Sequence, residues 1–246
     1  MISVCMATYN GQAYIKKQLD SILVQLSDND EVIISDDGST DATIEIISSY
    51  KDSRIKLLNH KKNTEFLKMK RSKNFYLVAS NFENALSHAK GDYIFLTDQD
   101  DIWRKDKVSK MLENLNQSDI VMSNFSIIDK NDVVINERFY DKSPISNSIV
   151  VNIIKSHFLG CCMAFKKNVL TYALPFPEKL VGHDYWIGCL GAKKFFFKFI
   201  DEPLHLYRRS DINVSTSTGK SENPILLRIF YRIIFLWQVI NRLISK

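Results

Sequence analysis

Several things are missing from this 246-residue sequence, and each absence narrows its chemistry. Its four cysteines, Cys5, Cys161, Cys162 and Cys189, include no C-x-x-C pair or other paired metal-ligand spacing, and two of them lie in apolar runs. Cysteine in such runs behaves as a small hydrophobe, so the expectation is buried thiols in a reducing compartment. The N-terminus has no basic region followed by a long apolar stretch and passes directly into a strand-like run, so no secretion is expected. There is no internal repeat, no low-complexity segment, and no zinc-finger or aromatic RNA-binding signature. Lys and Arg are spread along the chain, and the net charge is only +5. A mild excess of that kind suits an anionic ligand or a phospholipid surface and does not point to nucleic acid.

With 45% hydrophobic and 25% charged residues, the chain has the means to bury a core. Residues 2–8 form an apolar run of strand length, and residues 11–25 follow with apolar positions at helical spacing. Strands are expected again at 31–35, 55–58 and 92–97. Helices are expected at 41–50, with Ser39 or Thr40 as N-cap, and at 74–89. This alternation predicts right-handed crossovers and a mainly parallel sheet flanked by helices, a Rossmann-like nucleotide-binding architecture with ligands beyond the strands' carboxyl ends. The second half is less regular. A helix is expected at 105–115, strands at 120–125 and 161–165, alternating residues at 133–139 and a helix start at 184–191. Residues 61–73, rich in Lys, read as a mobile basic loop.

Three polar turns therefore fall on one sheet edge: Thr8-Tyr9-Asn10, Asp36-Asp37-Gly38 and Asp98-Gln99-Asp100-Asp101. Unpaired carboxylates gathered together are costly without a cation or a donor-rich ligand between them. In the third turn alternate carboxylates can reach one side and offer hard oxygen ligands for Mg²⁺ or Mn²⁺; a solvated turn or a cap for the next helix fits the same residues. Asp36 and Asp37 can accept hydrogen bonds from a base or ribose, or simply close a turn. Asp184, in His183-Asp184-Tyr185-Trp186, reads either as a general base or as an N-capping Asp with Trp186 packed inward.

In this order and spacing, Ala7-Thr8-Tyr9-Asn10-Gly11, Asp36-Asp37-Gly38-Ser39-Thr40-Asp41, Asn81-Phe82-Glu83-Asn84, Gly91-Asp92 through Asp98-Gln99-Asp100-Asp101-Ile102-Trp103, and Gly182-His183-Asp184-Tyr185-Trp186 resemble the motifs of family 2 glycosyltransferases, most closely the bacterial rhamnosyltransferase-like branch. The resemblance implies a GT-A fold over residues 1–215, with a nucleotide-sugar-binding half near 1–103 and an acceptor-binding half near 104–215. It implies Thr8, Tyr9, Asn10, Asp37 and Asp98 as nucleotide-sugar contacts, Asp100 as the holder of Mn²⁺ or Mg²⁺, Asp184 as catalytic base, and His183 and Trp186 near the acceptor. Relatives often carry Y-R-x-H-x-x-N near the end, whereas this chain has Ser210 in place of the His, so Arg208 or Arg209 is expected to hold the diphosphate.

The implied reaction is an inverting, metal-dependent hexosyl or deoxyhexosyl transfer. The donor is a dTDP- or UDP-linked sugar, rhamnose among the candidates, and the acceptor a lipid-linked glycan of O-antigen or capsule. A nucleotidyltransferase would want a Gly-rich phosphate loop after the first strand, which Thr8-Tyr9-Asn10-Gly11-Gln12 lacks; a non-catalytic nucleotide-sugar binder would lack Asp100 or Asp184, and both are present. Residues 224–246 predict an amphipathic helix whose uncharged stretch is too short to cross a bilayer. Arg228, Arg232, Arg242 and Lys246 share one stripe. A peripheral seat on the cytoplasmic face of the inner membrane is the expectation, with packing on the domain or on a second subunit as the competing one.

Overall fold

A computed structural model describes residues 1–67, 73–146, 148–155, 157–180, 182–209 and 225–246, with backbone alone at 73 and 225–228. Four strands, β1 (Ile2–Thr8), β2 (Glu31–Asp36), β3 (Ile55–Asn59) and β4 (Tyr93–Asp98), pair in parallel in the order β3-β2-β1-β4. Between them run α1 (Ile15–Leu23), α2 (Thr43–Ser49), a helical turn α3 (Thr64–Leu67) and α4 (Lys73–Ser87). Side chains alternate between two apolar layers: Cys5, Ile33, Ile94 and Leu96 face one, while Val4, Met6, Val32, Ile34 and Phe95 face the other. A strand covered on both faces reads as a continuous apolar run, and that is why these segments are uniformly hydrophobic.

Beyond β4 come β5 (Ile102–Trp103), α5 (Lys107–Leu115), β6 (Ile120–Ile128), β7 (Val134–Asn136), α6 (Ile149–Lys155), a 3₁₀ turn (Gly160–Cys162), β8 (Met163–Lys166), α7 (Asn168–Ala173), α8 (His183–Lys194), β9 (Phe197–Arg208) and α9 (Ile225–Ser245). The sheet continues β4-β8-β6-β9-β5, with β7 on β6. β8 is antiparallel to both neighbours, so β6 and β9 again run with β4, and six of the nine strands among the described residues share one direction. Helices α1 and α5 cover one face; α4, α7, α8 and α9 cover the other.

Two expectations need correction, and one long strand lies beyond them. The 61–73 segment is not a plain loop: Thr64–Leu67 is helical with Phe66 buried, and α4 begins at Lys73. Lys68, Lys70 and Arg71 lie outside the described residues, as do Ser210 and Asn213. α2 is preceded not by a Ser39 or Thr40 cap but by Asp41, whose Oδ1 accepts the Thr43 N–H at 3.0 Å. The long strand β9 was not expected. Asp201, Glu202 and Pro203 break its alternation, and its pairing with β6 shifts register beside Pro203.

Candidate functional site

The polar turns at the carboxyl ends of β1, β2 and β4 interlock. Asp36, at the end of β2, is buried; it accepts the Gly38 and Ser39 N–H groups at 2.9 and 2.8 Å and the hydroxyls of Thr8 and Ser39 at 2.9 and 2.6 Å. Asp36 and Thr8 thus shape the turn, and Gly38, at φ 76°, supplies the left-handed step that lets it close. Asn10 joins the same turn: its Oδ1 accepts the Thr40 N–H at 2.9 Å. Asp37 is buried beside His60, with Oδ1 2.5 Å from Nδ1, while His60 Nε2 lies 3.1 Å from Ser80 Oγ. His60 holds one oxygen of Asp37 and so fixes the direction of its carboxylate. Tyr9 is exposed. Its N–H and C=O are clasped by the Gln99 amide at 2.9 and 3.0 Å, and Lys62 sits 3.9 Å over its ring. The first and third turns are thereby one unit.

Within the acidic turn the carboxylates divide. Asp101 is fully buried and does not cap α5, which begins at Lys107 after Asp106. It is latched to β9 instead: Oδ2 accepts from His205 Nε2 at 2.8 Å and Oδ1 from the Arg208 N–H at 2.8 Å. Behind it, the Lys107 ammonium donates to His205 Nδ1 at 3.0 Å and to the Cys161 carbonyl at 2.5 Å. Since an ammonium can only donate, His205 is the neutral tautomer with its proton on Nε2. Burial, and then the charge of Lys107, push its pKa down to about 4.

Arg208 is also withdrawn from the surface. Nε donates to the Asp100 carbonyl at 2.7 Å, Nη1 to that of Asp129 at 2.8 Å, Nη2 pairs with Asp132 at 2.6 Å, and the guanidinium lies 4.4 Å over the Tyr14 ring. In this arrangement Arg208 braces the acidic turn from behind, and Arg209 is the exposed one of the pair.

Asp98 and Asp100 remain partly open. Burial and the charges of Asp101, Asp100 and Asp184 push the Asp98 carboxyl well above the usual range. The Asp100 carboxyl is pushed up to about 7 by burial and by Asp101, against the opposing pull of Arg208. Asp184 lies 86 positions beyond Asp98 in the chain, yet its charge acts on it; the fold has brought the two together. Asp184 stands in the first turn of α8, accepting the Gly160 N–H at 3.3 Å and its neighbour Tyr185 N–H at 2.7 Å. A Cβ at Gly160 would lie 3.1 Å from both Asp184 Cβ and His183 Nε2, a tight fit that a larger side chain would have to relieve by displacing them. His183 is buried, stacked 3.8 Å on Phe82, and its Nε2 has no partner among the described residues. Trp186 is fully buried, its indole N–H donating to the Ala173 carbonyl at 2.9 Å, so it packs the core instead of touching an acceptor.

Carboxylates that shed charge by mutual repulsion and burial fit a hard divalent cation, which would restore their ionised form. Ligand atoms of Asp98, Asp101 and Cys161 lie within 4.8 Å of one another, but burial raises the Cys161 thiol pKa and both Asp101 oxygens are engaged, so Asp98 and Asp100 are the available pair. Cys161, Cys162 and His205 also cluster, but both ring nitrogens of His205 are spoken for. Sequence reasoning missed His60, Gln99, Lys107 and His205. Gln99 lies inside the acidic motif but shows no role there by itself, and the other three sit in no recognisable pattern; the placing of distant segments side by side gives all four their roles.

The model of Glycosyl transferase family 2 matches residues 3–172. The chain is 27% identical over 255 residues to the UDP-Glc:alpha-D-GlcNAc-diphosphoundecaprenol beta-1,3-glucosyltransferase WfgD of Escherichia coli, covering 96% of this chain and 92% of that one. It is 28% identical over 222 residues to the dTDP-rhamnosyl transferase RfbG of Shigella flexneri, covering 85% and 72%. In structure it is similar to residues 1–349 of TarS from S. aureus in complex with UDP-GlcNAc, with TM-score 0.67 and 18% identity over 99% of this chain and 72% of that one. It is also similar to glucosyl-3-phosphoglycerate synthase from Mycobacterium tuberculosis with Mn²⁺, UDP and phosphoglyceric acid, with TM-score 0.53 and 19% identity over 98% and 78%. These likenesses show the GT-A fold.

Proposed function

The chain belongs to glycosyl transferase family 2, and from that premise we propose that it moves a sugar from a pyrimidine nucleoside-diphosphate donor to a hydroxyl of a lipid-linked glycan, inverting the anomeric centre, in surface polysaccharide synthesis. The observation that carries this reading is that Asp184 accepts the Gly160 N–H at 3.3 Å while Cys161, the next residue, has its sulfur within 4.8 Å of the carboxylates of Asp98 and Asp101, so a candidate base stands beside the turn suited to a diphosphate. The two relatives differ in sugar but are both named for pyrimidine nucleotide or glycosyl-lipid chemistry, UDP-Glc and dTDP-rhamnosyl.

Asp37, steadied by His60, accepts from the base or ribose; Tyr9 and Asn10 flank it, and Thr8 acts by holding Asp36. Asp98 contacts the sugar or ribose, and Arg209, the exposed neighbour of Arg208, is the arginine left to meet the diphosphate. Asp98 and Asp100 would hold Mn²⁺ or Mg²⁺, which when bound supplies the positive charge that a departing diphosphate needs. Asp184 takes the proton of the acceptor hydroxyl as that oxygen attacks the anomeric carbon, and the bond from that carbon to the diphosphate breaks with its electrons leaving on phosphate. His183 Nε2, buried and unpartnered among the described residues, would bond a hydroxyl of the acceptor or the transferred sugar if one reaches it. The reaction belongs at the cytoplasmic face of the membrane, where a lipid-linked acceptor is reachable.

The test is transfer from UDP-glucose and from dTDP-rhamnose to a polyprenyl-diphosphate-linked sugar, with Mn²⁺ or Mg²⁺. Asp184→Asn lowers kcat by roughly 10²- to 10⁴-fold and leaves donor binding intact; Asp100→Asn loses metal-dependent donor binding. Full turnover in both variants would refute the assignment.

A further inference from the structure

The C-terminal helix is turned the opposite way from what its charge pattern suggests. Among the described residues its basic side chains, Arg232, Arg242 and Lys246, face the domain. Arg242 donates to the carbonyls of Tyr172 and Ala173 at 2.7 and 3.1 Å and of Pro175 at 2.6 Å, Arg232 to that of Ile154 at 2.7 Å, and Lys246 to those of Thr171 and Leu174, the latter at 3.1 Å. These are carbonyl groups at and just beyond the ends of α6 and α7, where cations are favoured. Phe235 and Val239, 4% and 0% exposed, share this inward face, and Phe235 stacks 4.3 Å on Tyr185 of α8.

The outward face is apolar. At 100° per residue Ile229, Phe230, Ile233, Trp237, Ile240 and Ile244 fall within a stripe about 100° wide and about 22 Å long. All are exposed, Ile233 by 60%, Trp237 by 64% and Ile244 by 79%. α6 packs beside α9 and extends the patch with the exposed Val150 and Ile154. Soluble proteins rarely leave such a surface in water without a partner.

We propose that this α6–α9 face seats the enzyme on an anionic lipid bilayer by apolar insertion to the headgroup boundary, with the helix lying in the interface plane. Three observations select the bilayer over a second copy of the chain. Neither helix contains an acidic residue, so the same two helices of a second copy would not answer the exposed Lys155 at the rim, whereas anionic headgroups do. The stripe carries Phe230 and Trp237, side chains suited to the depth of the headgroups. No helix among the described residues is long and apolar enough to cross a membrane, so insertion stays shallow. The seat also has a use, which rests on the lipid-linked acceptor proposed above: α9 packs on α8, whose first turn carries Asp184, so the base candidate stands one helix away from the bilayer.

The experiment is flotation of the full-length protein with vesicles of equal phosphatidylglycerol and phosphatidylethanolamine, without donor or acceptor, so that a failed transferase assignment leaves the readout untouched. The wild type floats and stays bound in high salt, because the contact is apolar. Ile233→Asp with Trp237→Asp lowers partitioning more than about tenfold while circular dichroism and Tm stay those of the wild type. Trp237 fluorescence is quenched by brominated lipid, and Trp237→Phe removes that quenching while flotation persists. Unchanged flotation of the double Asp variant overturns the proposal. So does a dimer, seen by sedimentation velocity without vesicles, that the same variant splits.

Discussion

Lowering the pH should destabilise the fold through one residue, His205. In the native state this ring is fully buried, gives its Nε2 proton to Asp101 and accepts from Lys107 at Nδ1, so protonation would set two cations 3.0 Å apart in a dry site. Its pKa is about 4 when folded, against 6.5 for an ordinary histidine. Below the unfolded value the unfolded chain binds the extra proton and the native chain does not, so stability is full above about 6.5 and falls as pH drops toward 4. Between pH 7.5 and 5 these values correspond to a loss of about 2 kcal/mol. Asp98 and Asp100 contribute with the opposite sign, because their raised pKa values relieve repulsion as they protonate. A difference measurement separates the two effects. Urea unfolding at stepped pH is compared between the wild type and His205→Gln, whose amide keeps a donor for Asp101 but does not titrate. The gap between the two curves should change by about 2 kcal/mol over that range. A constant gap refutes the reasoning.

Arg208→Met leaves the Asp100 and Asp129 carbonyls and Asp132 without a buried cation and should cost about 3–5 kcal/mol by urea unfolding; unchanged stability would show that the brace is dispensable. Gly188→Ala drives a methyl to 2.3 Å from the Phe158 ring and should lower stability by about 1–3 kcal/mol. Glu83, whose carboxyl is raised by burial, is more protonated in the native than in the unfolded chain, so it weakens the fold as pH rises through that window. Glu83→Gln keeps an acceptor for the Phe176 N–H at 2.7 Å and should raise Tm at neutral pH but not at acidic pH, as read by calorimetry.

The first half of the fold is plain in the sequence because each strand there is a short apolar run closed by a polar turn, and each helix carries one apolar stripe. β9 hides behind Asp201, Glu202 and Pro203, and α6 is too short to show a period. The site follows the same divide. That Asp98 to Asp101 end a strand at the ligand edge is readable; that Asp101 and Arg208 point inward while Asp98 and Asp100 stay open is not, because this depends on the pairing of β5 with β9. His60 is a lone histidine after β3 until β2 and α4 are placed beside it. Periodicity on α9 tells which residues share a face, but which face meets the domain is decided by the carbonyl ends that the arginines find.

The pairing of β5 with β9 also fixes when, during synthesis, the site can exist. The acidic turn lies between β4 and the two-residue β5, whose one strand partner among the described residues is β9, with Ile102 against Leu206 and Trp103 against His205. By the time residue 103 leaves the ribosome, β1 to β4 have all their residues and Gln99 has Tyr9 to clasp, but the strand and the side chains that hold Asp101 do not yet exist. Its latch arrives about a hundred residues later, with His205 and Arg208. A nascent chain therefore leaves Asp101 unlatched until its sheet is nearly finished, and a fragment cut at 103 would keep the aspartates while losing the contacts that turn Asp101 inward.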